Sequence, residues 1–284
     1  RAFAHCYKNE DIPNSILAWD GYADHRYQKM LESDGAPINL ELPSIVSAFM
    51  PKSGGTFIFN RQKHNLGYKE FWWGIVHENK VTRAYPTQRA LELYLRGGCV
   101  THSHFLPTPY ALKIFRAAGV EKFWVHLRNP AEAAISAYYH FKGEGQGRGE
   151  IAEQRRHLNA AQLKASGMSV RTDSNEDLDD FVLNVIDNFI SWAKSWLDFA
   201  GASDAVVFTF YSELTDPRQL FERVSAEFGI SVDIGQIADD LPEDRRRTGT
   251  RKPWREQLAS ATAEVLEKKL IESLADYEIP ELVR

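Results

Sequence analysis

The chain reads as an α/β protein with a central parallel sheet flanked by helices in three layers. Three observations carry that reading. Short β-rich apolar runs recur at 44–50 (SIVSAFM), 98–104 (GCVTHSH), 122–128 (KFWVHLR) and 205–210 (AVVFTF). Each leads into a turn and then a longer helical pattern, the sequence signature of βα units on a parallel sheet. The stretch FMPKSGGTFIFN at 49–60 places a glycine pair where the first of these strands should end and a helix begin.

The clearest helix is expected from about Leu178 to Phe199. Leu178, Phe181, Val182, Val185, Ile186, Phe189, Trp192 and Trp196 recur at helical spacing, and Asp179 and Asp180 suit its positive first turn. Another follows Asp216 as cap and Pro217 at the first position, with Leu220, Phe221, Val224 and Phe228 on one face and Gly229 closing it. These aromatic stripes read as core. A single domain spanning 1–284 is expected, interrupted around 142–177, where KGEGQGRGE and RTDSNED bracket one short helical possibility. That insertion is expected to be mobile, as a lid or as an idle loop.

Bulk properties narrow the function. A net charge of −5 argues against a nucleic-acid surface, which should be basic, but allows a local pocket for a small anion. No apolar run approaches the ~20 residues of a membrane-spanning helix. Cys6 and Cys99 are too few for a disulfide framework, so a reducing, cytoplasmic setting is expected. The chain opens on Arg1 rather than Met, which leaves a segment ahead of it to be expected.

The glycine turn is where chemistry enters. Backbone N–H groups of such a turn, together with a helix N-terminus, make an anion site. Gly54 and Gly55 permit close backbone approach, Thr56 offers a hydroxyl, and Lys52 enters from the strand side. The pattern GxxxxGK[ST] of an ATP or GTP loop is absent, because the lysine precedes the glycines. On the turn alone, an ordinary strand-to-helix connection remains an equal alternative.

Two further stretches offer a second anion site. In WVHLRNPAEAAISAYYHF, 124–141, a strand ends at Arg128, Asn129-Pro130 breaks it and a helix begins, with Ser136 eight residues after the arginine. The late loop RRRTGTRKPW, 245–254, is basic and carries Gly249 ahead of Trp254.

These residues resemble the sulfotransferases that use 3′-phosphoadenosine-5′-phosphosulfate (PAPS). The family's first motif, Pro-Lys-Ser-Gly-Thr-Thr-Trp, is matched by Pro51-Lys52-Ser53-Gly54-Gly55-Thr56-Phe57. Its second pairs an Arg with a Ser eight residues on, followed by Tyr-His-Phe, as do Arg128, Ser136 and 139–141 here. Its late Arg-Lys-Gly loop, with Trp seven residues after the Arg, is matched by Arg247, Gly249 and Trp254. The resemblance runs from about residue 44 to 256. It implies a P-loop-like fold, PAPS as sulfuryl donor with PAP (adenosine 3′,5′-bisphosphate) as product, and no metal. It also implies roles. Lys52 would meet the leaving phosphate oxygen, the turn Ser53–Thr56 the 5′-phosphate, and Arg128, Ser136, Arg247 and Gly249 the 3′-phosphate. Tyr211, at the end of a late strand, would touch adenine. Three positions depart from the family: Gly55 stands for a threonine, Phe57 for the adenine-stacking tryptophan, and Thr248 for a lysine.

A base for the acceptor is sought in CVTHSHFLPTPY, 99–110, similar to the family's Lys-Thr-His-Leu-Pro. His102 and His104 alternate by two and so share one face of a strand. Matching the final His makes His104 the base and puts His102 at the family's lysine, although Phe105 is an extra residue and the register could favour His102. An imidazole with pKa near 6.5 can take a hydroxyl proton at neutral pH. His126 and His140 read as packing or surface residues. The acceptor is expected to be a small molecule, lipid or polyketide-like. EFWWG at 70–74, Tyr85, Tyr110 and Tyr138 are candidates for its pocket, with core packing as the alternative. The competing function is a P-loop kinase or nucleotide hydrolase, which would require Mg²⁺.

Overall fold

The computed structural model describes residues 16–32, 38–76, 84–141, 177–231, 233, 235, 237 and 252–283. In chain order, helix α1 (Ile16–Glu32) precedes strand β1 (Ser47–Phe49) and helix α2 (Gly55–His64). Next come β2 (Lys69–Glu70), β3 (Gly74–Val76), β4 (Ala84–Pro86), α3 (Gln88–Tyr94) and β5 (Cys99–Val100). Then follow α4 (Pro109–Ala117), β6 (Phe123–Leu127), α5 (Pro130–Phe141), α6 (Leu178–Gly201), β7 (Val206–Phe210) and α7 (Pro217–Phe228). The described chain closes with α8 (Ser260–Leu274) and α9 (Pro280–Val283).

The central sheet has the order β1-β6-β7 and is parallel throughout, with Ala48 opposite Val125 and Val125 opposite Phe208. β2 pairs in parallel with β5, whose continuation then lies along β1: the Phe49 N–H donates to the Ser103 carbonyl at 2.8 Å. The four apolar runs are therefore the four strands around which the fold is built.

Strand side chains alternate faces, and here the alternation sorts the core into two layers. Val46, Ala48, Phe123, Val125 and Leu127 pack on the α6 side with Phe181, Val185 and Trp196. Ile45, Phe49 and Trp124 pack on the opposite side with Leu220, Phe221 and Val224 of α7. Helices thus cover both faces of a buried parallel sheet, as such sheets require. His126 and Arg128 continue the parity of Trp124, so they emerge on the α7 side.

The helix boundaries follow local chemistry. Asp216 caps α7 by accepting from the Gln219 N–H at 3.1 Å, Pro217 takes its first position, and Gly229 closes it at φ 64°. Asn129 caps α5, its side-chain oxygen accepting from the Ala131 N–H at 2.9 Å. The expected helix from Leu178 continues two residues beyond Phe199, to Gly201.

Candidate active site

The turn after β1 is held mostly by β6. The Met50 N–H donates to the His126 carbonyl at 2.9 Å, and the Ser53 N–H turns back to Met50 at 3.0 Å. Lys52 and Gly54 both have left-handed backbone, φ 65° and 94°. For a lysine that conformation costs ~1–3 kcal/mol and persists only where neighbours enforce it. Here Arg128 does so, donating from Nη1 to the Lys52 carbonyl at 3.1 Å. α2 then starts at Gly55, and the N–H groups of Gly55 and Thr56, in its first turn, have no intrahelical acceptor.

Each glycine of the pair is required by a different contact. A Cβ on Gly54 would lie 2.5 Å from Leu214 Cδ1, in addition to the left-handed φ. On Gly55 it would lie 2.6 Å from Phe49 Cβ and 2.9 Å from His102 Nε2. The threonine that the resemblance leads one to expect at 55 is therefore excluded first by Phe49 and then by the ring of His102.

Both histidines face the turn from one side, as their spacing predicts. Their rings meet edge to face at 4.7 Å, and His102 stacks on Phe49 at 5.6 Å. His104 Nδ1 lies 2.6 Å from the Phe49 carbonyl. A carbonyl can only accept, so Nδ1 carries the proton and Nε2 keeps its lone pair. Trp192 Nε1 donates to the His104 carbonyl at 2.9 Å and Trp196 Nε1 to that of Phe105 at 3.2 Å. Phe105, the residue extra to the family pattern, is a fully buried plug among Trp73, Phe115 and Trp196. It points to the other face and leaves the histidine pair in phase.

The basicity expected of these histidines needs correction. Burial lowers His104 to about 4, with the Phe49 carbonyl opposing the shift and the charge of Lys52 adding to it. His102 is lowered well below its ordinary value by burial, His104 and Lys52. Both rings are therefore neutral at pH 7, and the same Lys52 charge is felt by both.

Arg128 lies beside the turn, almost fully buried. Its Nε donates to Glu132 at 3.0 Å, and its guanidinium lies over the Tyr211 ring at 3.9 Å, a cation–π contact. That stack follows from register: His126 pairs with Thr209 and Leu127 with Phe210, so the next residues on the two strands are Arg128 and Tyr211. Tyr211 is 38% exposed and so is open to a ligand. Ser136 sits on α5, half-buried, while the bonds of Arg128 go to Glu132 and Lys52. Phe57 is not an exposed platform; it is buried with Arg61 over its ring at 3.5 Å. Arg247, Thr248 and Gly249 lie outside the described residues, as do 142–176 of the expected insertion. Of the acceptor-pocket candidates, Trp73 is core, Trp72 stacks on it half-buried at 5.5 Å, and Tyr138 packs edge-on to Phe181.

Two residues beside the turn were not among the expected site residues: Glu132, which pairs with Arg128, and His126, read from sequence as a packing or surface residue, whose ring meets the Ser53 carbonyl. Glu132 had a signal, since it stands four residues after Arg128 on a helix start, where side chains meet.

No protein-family model matches the chain, and no curated protein matches it. Among solved structures, mouse sulfotransferase SULT7A1 complexed with PAP is similar over 89% of this chain and 89% of its own, at 15% identity and a TM-score of 0.48. That likeness assigns no role to any residue of this chain. No helix among the described residues is long and apolar enough to cross a membrane.

Proposed function

We propose that this chain is a sulfotransferase that moves a sulfuryl group from PAPS to the hydroxyl of a small-molecule acceptor. The observation that best supports the reading is the meeting of three groups at one edge of the strand layer. These are a glycine turn led by Lys52, a histidine with its Nε2 lone pair free for a proton, and Arg128 beside a half-exposed Tyr211.

The donor set fits a nucleotide bearing separate anions. The helix-start N–H groups of Gly55 and Thr56 suit a 5′-phosphate. Ser53 Oγ is buried with no hydrogen-bond partner among the described residues, an arrangement that ordinarily costs ~1–3 kcal/mol unless it serves a ligand. Arg128, with Ser136 and the late loop, is the candidate for a 3′-phosphate. When bound, the donor supplies an activated sulfuryl group whose transfer leaves negative charge on a phosphate oxygen. Lys52 brings an ammonium to that side of the turn, where developing charge is most effectively stabilised. His104 Nε2 accepts the acceptor's proton, with Nδ1–H anchored on the Phe49 carbonyl.

The test is titration calorimetry without metal. PAP should bind far more tightly than AMP, and Arg128→Ala should erase most of the preference. Equal affinity for the two nucleotides sinks the reading, and a strict Mg²⁺ requirement moves it to a kinase or nucleotide hydrolase.

A further inference from the structure

His126 is completely buried in the middle of β6, yet every polar atom of its ring is engaged. Its Nε2 lies 3.0 Å from the Ser53 carbonyl and its Nδ1 2.7 Å from Thr209 Oγ1. Trp124 Nε1, also buried, lies 2.7 Å from the same Thr209 oxygen. Donor and acceptor chemistry fixes the direction of this chain. The Ser53 carbonyl can only accept, so Nε2 carries the proton and Nδ1 accepts from the Thr209 hydroxyl. Indole N–H can only donate, so Trp124 donates to Thr209. The order is Trp124 to Thr209 to His126 to Ser53, with no alternative sense, and such chains polarise each bond along them.

The end of the chain is a peptide plane in the glycine turn. In a trans peptide the carbonyl of one residue and the N–H of the next point in opposite directions, and no cis bond is present here. Drawing the Ser53 carbonyl toward the His126 ring therefore turns the Gly54 N–H away from that ring. The backbone of His126 holds the other end of the same turn through Met50.

We propose that His126 is a positioning residue for the anion-binding turn, its ring holding the Ser53 carbonyl so that the Gly54 N–H is aimed at the 5′-phosphate of the bound nucleotide. The proposal rests on the nucleotide reading above. His126 touches neither substrate nor donor and acts through Ser53.

The experiment compares PAP with adenosine 3′-monophosphate, which lacks the group that the turn would hold, by calorimetry on the full chain. His126→Asn keeps a polar atom near Nδ1 but cannot reach Ser53; His126→Gln places an amide nitrogen near Nε2. The expected result is PAP affinity reduced about tenfold in H126N and kept within about threefold in H126Q, with 3′-monophosphate affinity unchanged in both. Equal PAP affinity in H126N and the parent overturns the proposal. So does an equal loss for both nucleotides, or an H126Q as impaired as H126N, since a merely structural role predicts those patterns. A parent chain that does not prefer PAP to the 3′-monophosphate refutes the nucleotide reading itself, and the proposal with it. Should thermal melts show H126N unfolded, Thr209→Val decides. It leaves the ring in place but removes the hydroxyl that fixes its tautomer, and should weaken PAP severalfold while sparing the 3′-monophosphate. Unchanged PAP binding in T209V overturns the proposal.

Discussion

Acidifying the protein from pH 7 toward pH 4 should unfold it earlier than its carboxylates alone would. His102, His104 and His126 are all held neutral by burial, His104 at about 4 and His126 at about 3, against about 6.5 in an unfolded chain. Between pH 6.5 and about 4 the unfolded chain thus binds protons that the folded chain refuses. Stability therefore rises with pH across this window and is lost as pH falls through it. Each such histidine removes up to ~1.4 kcal/mol per pH unit, so three together remove at most ~4. The half-buried pair contributes less than His126, because solvent screens it. Set against a typical total of ~5–15 kcal/mol, one to two units of acidification is enough to matter. Urea denaturation at pH 7.5, 6.5, 5.5 and 5 reads the slope directly, and His126→Gln should lower it by about one proton. A denaturation midpoint that stays flat from pH 7 to 5 would show that the rings protonate freely in the fold.

Three further outcomes are expected. Lys52→Ala should lower kcat by ~10²–10³ while changing donor affinity much less, as measured by single-turnover transfer of labelled sulfate; parental turnover removes the role given to Lys52. His104→Ala should lose ~10²–10⁴ in turnover with donor affinity held within a few-fold, and His102→Ala should lose less. A dead His102→Ala beside an active His104→Ala exchanges their roles. Gly55→Thr should destabilise by ~1–3 kcal/mol, because Phe49 is fully buried and cannot give way to the added side chain. An unchanged denaturation midpoint in that variant means the turn and the His102 ring relax at little cost.

Much of the fold was legible because it rests on local signals. The four strands are apolar runs bounded by turns, and α7 is bracketed by Asp216, Pro217 and Gly229, each with its own physical reason. The pairing of His102 with His104 was equally legible, since period two needs no tertiary information. What could not be read is whatever depends on register between distant strands. His126 meets Ser53 across 73 residues, and an interior histidine in an apolar strand has nothing in its neighbourhood to distinguish a clamp from a packed ring. The low basicity of His104 was hidden for the same reason: it comes from burial against the turn and from the charge of Lys52, both non-local. Gly55 is a third case. Its sequence signal was a missing hydroxyl, whereas its structural cause is the volume taken by Phe49 and His102.

These non-local contacts have one source. β6 and the residue that follows it hold the turn at three points: the His126 carbonyl accepts from the Met50 N–H, the His126 ring donates to the Ser53 carbonyl, and Arg128 donates to the Lys52 carbonyl. Successive peptide planes of the turn are thus oriented by alternate residues of the neighbouring strand, both on the face that period two assigns them. The left-handed backbone at Lys52 becomes affordable under that hold, and it is what lets a lysine stand ahead of the glycines. Donors fixed in this way need no reorganisation when charge develops in front of them, which is the condition for electrostatic catalysis. On the proposed function the same wiring would give Arg128 two tasks, as a cation for an anionic ligand and as the brace of Lys52. Removing it should therefore impair turnover by more than the loss of nucleotide affinity accounts for.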